Sequence, residues 1–373
     1  MNKSPRLVAL ETLYSIFYDG SYSNIALDKA LSDIKENKAF ISALVYGVTE
    51  KKITLDYFID KYAQGRIKPK VRIVLWLGAY QLLFMDKVPS SASINESVKL
   101  VKEIKQDYYS KLVNAVLHKI DNDRQIPDDL SVKYSVPENL INMWKKQYGE
   151  DVLNEFLPCI NDKPPLFAIP NKKFVNSDEL LYELECDGIL GEAYDEFVLI
   201  ENANDLTASK AFKNGLFYIE DLSSFNCANA LDALSDDLVL DMCSAPGGKA
   251  FTISQSMNNS GKIYCYDLHE HRLNLIKSSA KRLSIDNIYT DVNDATVYNE
   301  NIPKADKILC DVPCSGFGII RRKPEIRYKD LDSVKDLPQI QYKILETSSR
   351  YLKDGGRIIY STCTLNKKEN ENV

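Results

Sequence analysis

A chain of 373 residues is too long for one ordinary hydrophobic core, so two or three domains are expected, and a hydrophobic share of 45% marks it as globular. The net charge of −6 is unevenly spread: 19 Lys and Arg face 14 Asp and Glu in residues 1–126, 8 face 20 in residues 127–235, and 20 face 19 in residues 236–373. This excludes general phosphate binding by the middle of the chain and makes the basic first segment the expected polyanion contact.

The amino terminus has no apolar secretory core, and the longest apolar stretch, Ile73 to Met85, is interrupted by Gln81 and too short to span a bilayer, so no membrane association is expected. Eight cysteines, at 159, 186, 227, 243, 265, 310, 314 and 363, form no CxxC pair, which points to a reduced, cytoplasmic protein. Three histidines, His118, His269 and His271, lack metal-ligand spacing, so no metal is expected. The chain is expected to act as a monomer.

From Ser4 to Ile120 apolar residues recur at helical spacing, as in Leu7-Leu10-Leu13-Tyr14-Phe17 and Leu112-Val113-Val116-Leu117-Ile120. No period-2 run interrupts them, which predicts an all-α domain over residues 1–126. The next segment, 127–232, carries six prolines (127, 137, 158, 164, 165 and 170), a helix near Pro137–Tyr148 and candidate strands at Phe167–Ile169 and Glu196–Ile200. It reads as a small α+β domain.

Residues 233–373 alternate regularly. Strands are predicted at Leu238–Cys243, Lys262–Leu268, Asn287–Val292, Lys307–Val312 and Arg357–Thr362, with helices at Gly248–Met257, Glu270–Leu283 and Ser333–Leu352. Such alternation predicts an α/β, Rossmann-like parallel sheet with ligands at the carboxyl ends of its strands. Asp241, Asp267, Asp311 and Cys363 all lie at or near such ends.

Three elements of this last domain carry chemistry. In Cys243-Ser244-Ala245-Pro246-Gly247-Gly248-Lys249 the glycines let the backbone turn tightly and approach a ligand, although the spacing is not the G-x-G-x-x-G of dinucleotide binders. Asp267, closing the next strand, can accept both hydroxyls of a ribose, and Asp294, after the third strand, is placed to accept from an adenine amino group; a plain surface carboxylate is the alternative for each. Cys314, in Pro313-Cys314-Ser315-Gly316, and Cys363, in Ser361-Thr362-Cys363-Thr364, stand in turn-like contexts that imply partly exposed thiols rather than core positions. Two thiols beside a donor loop suit methyl transfer to a pyrimidine ring carbon, because C5 of cytosine becomes nucleophilic only after a thiolate adds to C6. Arg321, Arg322 and Lys323 could stabilise a thiolate, contact phosphate, or form a solvated turn.

On these motifs the C-terminal half resembles the RNA cytosine-5 methyltransferases of the NOL1/NOP2/Sun family. The N-terminal half resembles a NusB-like domain through Gly78-Ala79-Tyr80-Gln81-Leu82-Leu83, Ile94-Asn95-Glu96-Ser97-Val98 and Val113-Asn114-Ala115-Val116-Leu117. The order of the two halves is that of bacterial 16S rRNA methyltransferases. The resemblance implies S-adenosyl-L-methionine as donor, held by Cys243, Ser244, Ala245, Pro246, Gly247, Gly248 and Lys249, with Asp267 at the ribose, Asp294 near the adenine and Asp311 beside the transferred methyl. It further implies Cys363 as nucleophile, Cys314 as the residue that assists product release, and 16S rRNA or a small-subunit precursor as substrate, with the target at C5 of cytosine 967. Transfer RNA as substrate, or a NusB-like adaptor with an inert C-terminal unit, are the competing readings.

The chain departs from the family pattern at Phe167–Asn171, where an arginine-valine-asparagine run is usual, at Glu220 in place of glutamine, and at Phe317 in place of threonine. It ends at Val373, where the family continues through another helix and two strands, so missing C-terminal edge strands, an exposed edge at Arg357–Thr362 and reduced stability are expected.

Overall fold

The computed structural model describes residues 3–202 and 206–373. Its contacts divide the chain into two compact units, Met1–Lys163 with Gly316–Ser333, and Pro164–Ser315 with Val334–Val373.

The first unit is helical: α1 (Pro5–Tyr18), α2 (Ser23–Leu31), α3 (Lys38–Tyr62), α4 (Pro69–Phe84), α5 (Ser90–Glu103), α6 (Ser110–Asn122), α7 (Leu130–Tyr134), α8 (Glu138–Tyr148) and α9 (Glu150–Phe156). The starts are written locally. Ser4 caps α1 by accepting from the Leu7 N–H, and Pro5 and Pro69 occupy first-turn positions where a missing N–H costs nothing. The core is built from Leu10, Leu13, Leu44, Val48, Leu55, Phe58, Trp76 and Leu117, all buried. Gly78 permits a close approach of α4 to its neighbours: a Cβ there would stand 2.6 Å from Leu117 and 2.8 Å from the Ser97 hydroxyl.

Gly316–Ser333, which follows Cys314 in the chain, packs as part of this helical unit. Its anchor is Arg327, 1% exposed, whose Nη1 donates to the carbonyls of Glu50 (3.1 Å) and Ser135 (3.1 Å) and to Asn161 Oδ1 (2.9 Å). The Tyr328 hydroxyl donates to the Thr49 carbonyl (2.8 Å), and Glu325 accepts the Ser23 N–H at the start of α2 (3.0 Å). Arg321 donates to the carbonyls of Asp162 and Lys163, and the Lys323 ammonium lies 5.3 Å from the Tyr22 ring. The expected basic turn is therefore engaged within the helical unit.

The second unit holds two sheets. Strands β1 (Leu166–Pro170), β2 (Gly191–Ala193), β3 (Val198–Ile200) and β4 (Phe217–Ile219) form an antiparallel sheet ordered β2-β3-β1-β4, with α10 (Ser177–Cys186) and the short α11 (Lys210–Lys213) beside it. A reciprocal capping box between Asn176 and Glu179 starts α10. The sequence shows β1 and most of β3; β2 and β4, three residues each, are too short for alternation to register. Asn171, just past β1, donates to the carbonyls of Gly215 (2.9 Å) and Leu283 (2.8 Å) and so joins this sheet to the larger layer.

The larger sheet contains β5 (Leu238–Asp241), β6 (Lys262–Asp267), β7 (Ile288–Val292), β8 (Ala305–Asp311) and β9 (Leu352–Ser361), all parallel. Helices α12 (Leu222–Asn229), α13 (Gly248–Ser256), α14 (Glu270–Arg282) and α15 (Leu337–Ser349) accompany it. The strand order is β7-β6-β5-β8-β9. Direction reverses between β5 and β8, and a crevice opens at their carboxyl ends. β9 lies at one edge of this sheet and β7 at the other. β9 begins earlier than the expected Arg357, at Leu352, because an irregularity between Ala305 and Lys307 lets the stretch before Arg357 bulge, with Gly355 at a φ of 76°. Among the described residues no helix is long and apolar enough to cross a membrane.

Arg327→Ala would strand two buried carbonyls and an amide oxygen and open a cavity, so we expect the intact chain to lose about 3 kcal/mol in urea denaturation. A loss below about 1 kcal/mol would contradict the anchoring role.

Candidate active site

β5 and β8 each end in an aspartate because the strands run out at the crevice. Asp241 is buried, and neither of its carboxylate oxygens has a hydrogen-bond partner among the described residues. Desolvation pushes its pKa up to about 7; the Ser244 hydroxyl and Cys243 N–H moderate the rise without reaching full hydrogen-bond geometry, and the negative charge of Asp311 adds to it. Glu220, between β4 and α12, is likewise pushed up to about 7 by burial, although Thr252 donates to it.

The glycine loop follows β5. Gly247 sits at a φ of 107°, and a Cβ there would meet the Phe251 ring at 2.9 Å. A Cβ on Gly248 would stand 2.9 Å from Glu220 Oε1. Gly247 demands glycine by conformation, whereas a Cβ on Gly248 would require the Glu220 carboxylate to shift. Lys249, in the first turn of α13, donates to Asp311 Oδ2 (2.8 Å) and Ser224 (3.3 Å). Burial works against its charge, but Asp311, supported by Glu220, holds the ammonium above the ordinary lysine range. The other oxygen of Asp311, Oδ1, accepts from the Ser361 hydroxyl at the end of β9 (2.8 Å). These groups border an open cleft of about 190 Å³ lined by Ile219, Glu220, Ser224, Asp241, Cys243, Ser244, Ala245, Pro246, Gly248, Lys249 and Asp311.

Asp267 ends β6 and is buried. It accepts the His269 N–H (3.0 Å) and pairs with Arg272 (3.0 Å), whose other arm donates to the Ala245 carbonyl (2.6 Å). Arg272 thus fixes the glycine loop against β6. Asp294 is exposed, and its carboxylate closes a local turn by accepting the Thr296 N–H (2.9 Å) and hydroxyl (2.6 Å). Neither aspartate lines the cleft itself.

The two thiols meet. Cys314 Sγ and Cys363 Sγ stand 3.1 Å apart, and the Cys363 N–H donates to Cys314 Sγ (3.3 Å). Cys363 is exposed and Cys314 half-buried, whereas Cys265 and Cys310 are small core residues within β6 and β8. At this separation the S–H of one thiol can stabilise a thiolate on the other.

Several residues of the site were not singled out from sequence as functional: Glu220 as a cleft wall, Ser224, Arg272, Ser361, and a buried group around Glu369. Glu369, fully buried, accepts from the Ser315 N–H (2.8 Å) and Gln341 (3.0 Å). Following two lysines near the chain end, it reads locally as a surface charge, and only its tertiary surroundings identify it.

The family described as NusB matches residues 3–122, and the family described as 16S rRNA methyltransferase RsmB/F matches residues 228–373. A "Probable ribosomal RNA small subunit methyltransferase B" of Bacillus subtilis (strain 168) is 34% identical over 99% of this chain and 87% of its own length. The chain belongs to the ribosomal RNA small subunit methyltransferase B family. A second relative of that description, from Synechocystis sp., is 30% identical over the same shares. A crystal structure of the protein PH0851 superposes with a TM-score of 0.82 at 27% identity, covering 100% of this chain and 88% of that one. Membership makes this chain an S-adenosylmethionine-dependent RNA methyltransferase with a NusB-like helical part and a Rossmann-like catalytic part.

The cleft fits that donor. Asp241, Asp311 and Glu220 outnumber Lys249, which favours a cation, and the orphaned Asp241 oxygens offer acceptors to an ammonium or hydroxyl donor.

The two raised carboxyls give a pH signature. Between about pH 4 and 7 the folded chain keeps protons that the unfolded chain has released, so stability falls as pH rises through that window and levels off above it. Melting temperatures at pH 5 and pH 8 should differ less in Asp241→Asn than in the parent, by the equivalent of roughly 1–3 kcal/mol. An unchanged gap would exclude a raised Asp241.

Proposed function

We propose that this chain methylates C5 of a cytosine in small-subunit ribosomal RNA, with cytosine 967 as the target the family resemblance implies, and that Cys363 attacks while Cys314 assists release. The observation that carries this reading is the 3.1 Å approach of the two sulfurs in loops that follow directly on Asp311 and Ser361, themselves hydrogen-bonded beside the glycine loop. S-adenosylmethionine, when bound, supplies an electrophilic methyl group on a sulfonium centre. Cys243, Ser244, Ala245, Pro246, Gly247, Gly248 and Lys249 would hold it, with Asp267 at its ribose, Asp294 toward its adenine and Asp311 near the methyl.

Cys363, the more exposed of the two, attacks as thiolate after giving up its proton, forms an Sγ–C6 bond and shifts the C5–C6 electron pair onto C5, making that carbon nucleophilic. After transfer, C5 gives its proton to a general base, the C5–H pair restores the ring double bond, and the C6–S pair leaves with Cys363 as thiolate. Cys314, beside that sulfur, promotes this second half. The target base must be unpaired or extruded for C6 to be reached, which favours a loop or an incompletely assembled RNA. The helical part, with its excess of basic side chains, is the natural polyanion contact in a division of the chain at 1–126, 127–232 and 233–373.

With labelled methyl donor and unmethylated 16S rRNA we expect transfer that Cys363→Ala abolishes, a fall of at least about 10³-fold. Cys314→Ala should instead trap an RNA adduct that survives denaturation. Normal turnover in Cys314→Ala without adduct would remove its release role. Equal methylation of transfer RNA would favour the competing substrate. Gly247→Ala should weaken donor binding about tenfold or more in equilibrium titration, since it adds both strain and a clash.

A further inference from the structure

We propose that Glu369 is a positioning residue for Cys314, a role that rests on the release function proposed above. Its carboxylate is fully buried, a costly placement unless its lone pairs are met by donors. Four donors meet it: the Ser315 N–H (2.8 Å) and hydroxyl (2.5 Å), the Gln341 side-chain amide (3.0 Å) and the Asn366 side-chain amide (2.8 Å). Gln341 also donates to the Pro313 carbonyl (3.0 Å). Ser315, immediately after Cys314, is therefore clamped to the carboxylate directly, and Pro313, immediately before it, through Gln341.

On the Cys363 side Asn366 meets the carboxylate directly three residues on, and Thr364, the immediate neighbour of Cys363, is reached at one remove. Thr364 shares a hydrogen bond with the Ser315 hydroxyl (2.6 Å), and Asn370, next to Glu369, donates to the Thr364 carbonyl (3.0 Å). The Tyr360 hydroxyl donates to the Glu369 carbonyl (2.6 Å), tying this group to β9. Glu369 thus sets where Cys314 lies against Cys363. Loosening it disturbs the release thiol first, because Ser315 depends on it directly and Pro313 through Gln341, while Cys363 keeps its place just past the end of β9.

The test uses the full chain with S-adenosylmethionine and unmethylated 16S rRNA, scoring denaturation-resistant adduct beside completed methylation, with Cys314→Ala as reference. Glu369→Gln keeps the volume but turns an N–H₂ toward other donors. We expect adduct to accumulate as in Cys314→Ala and turnover to fall about tenfold or more, with adduct formation itself slowed less than about threefold. Ser315→Ala, which removes one of the four donors, should show the same split more weakly, and it decides the matter if Glu369→Gln does not fold. Adduct formation and release falling in equal proportion, or turnover without accumulation in these variants while Cys314→Ala traps adduct, would overturn the inference alone. Failure of Cys314→Ala to trap adduct would instead overturn the release reading on which it rests.

Discussion

The carboxylate of Asp311 is the point on which the catalytic unit depends. It receives the Lys249 ammonium on one oxygen and the Ser361 hydroxyl on the other, at 2.8 Å each. One side chain thereby ties the glycine loop and its helix to the ends of two neighbouring strands. The pairing is half-sheltered, with the lysine more buried than the aspartate, so the attraction is less screened than at an open surface. The loops bearing Cys314 and Cys363 begin directly beyond these two strand ends. The glycine loop and a pair of thiols are brought to one place because the sheet reverses its order between β5 and β8, and the strands on either side deliver both.

The same crevice gathers carboxyl groups where burial disfavours their charge. Among the described residues Asp241 has no hydrogen-bond partner and Glu220 shares a hydroxyl, so desolvation rather than ion pairing governs both. That is an unfavourable arrangement for folding and a favourable one for a cation, and sites of binding are where such local cost is tolerated. Asp267 illustrates the contrast: it is nearly as buried as Asp241, yet it is held by Arg272 and a backbone N–H, and it braces the loop. Three aspartates at strand ends therefore perform three different tasks, distinguished by their partners rather than their positions.

The helical unit has a comparable anchor. Arg327 serves buried carbonyls from α3 and from the turn after α7, and the segment carrying it comes from the part of the chain matched to the methyltransferase family. Sequence-contiguous family boundaries and compact units of structure thus differ here. Nη1 of the Arg327 guanidinium meets these carbonyls and Asn161 Oδ1, and Nε the Pro324 carbonyl, while Nη2 is buried without a hydrogen-bond partner among the described residues.

Much of the architecture was legible before any coordinates. Helical spacing from Leu7 to Ile120, alternation of strands and helices after Leu238, the glycines of the 243–249 loop, and the turn contexts of Cys314 and Cys363 are all local signals, because they arise from backbone period and from residues whose conformational or chemical character is intrinsic. Strand order, the Asp311–Lys249–Ser361 link, the bracing by Arg272, the burial of Glu369 and the packing of Gly316–Ser333 with the helices were decided by tertiary structure. Each joins residues tens to hundreds of positions apart, and no local pattern records whether a lysine-flanked glutamate or an arginine in a basic turn will meet solvent or four buried donors and acceptors. Short-range sequence determines which elements form and which reactive groups exist; long-range packing determines which of those groups share a dielectric, and therefore which can act together.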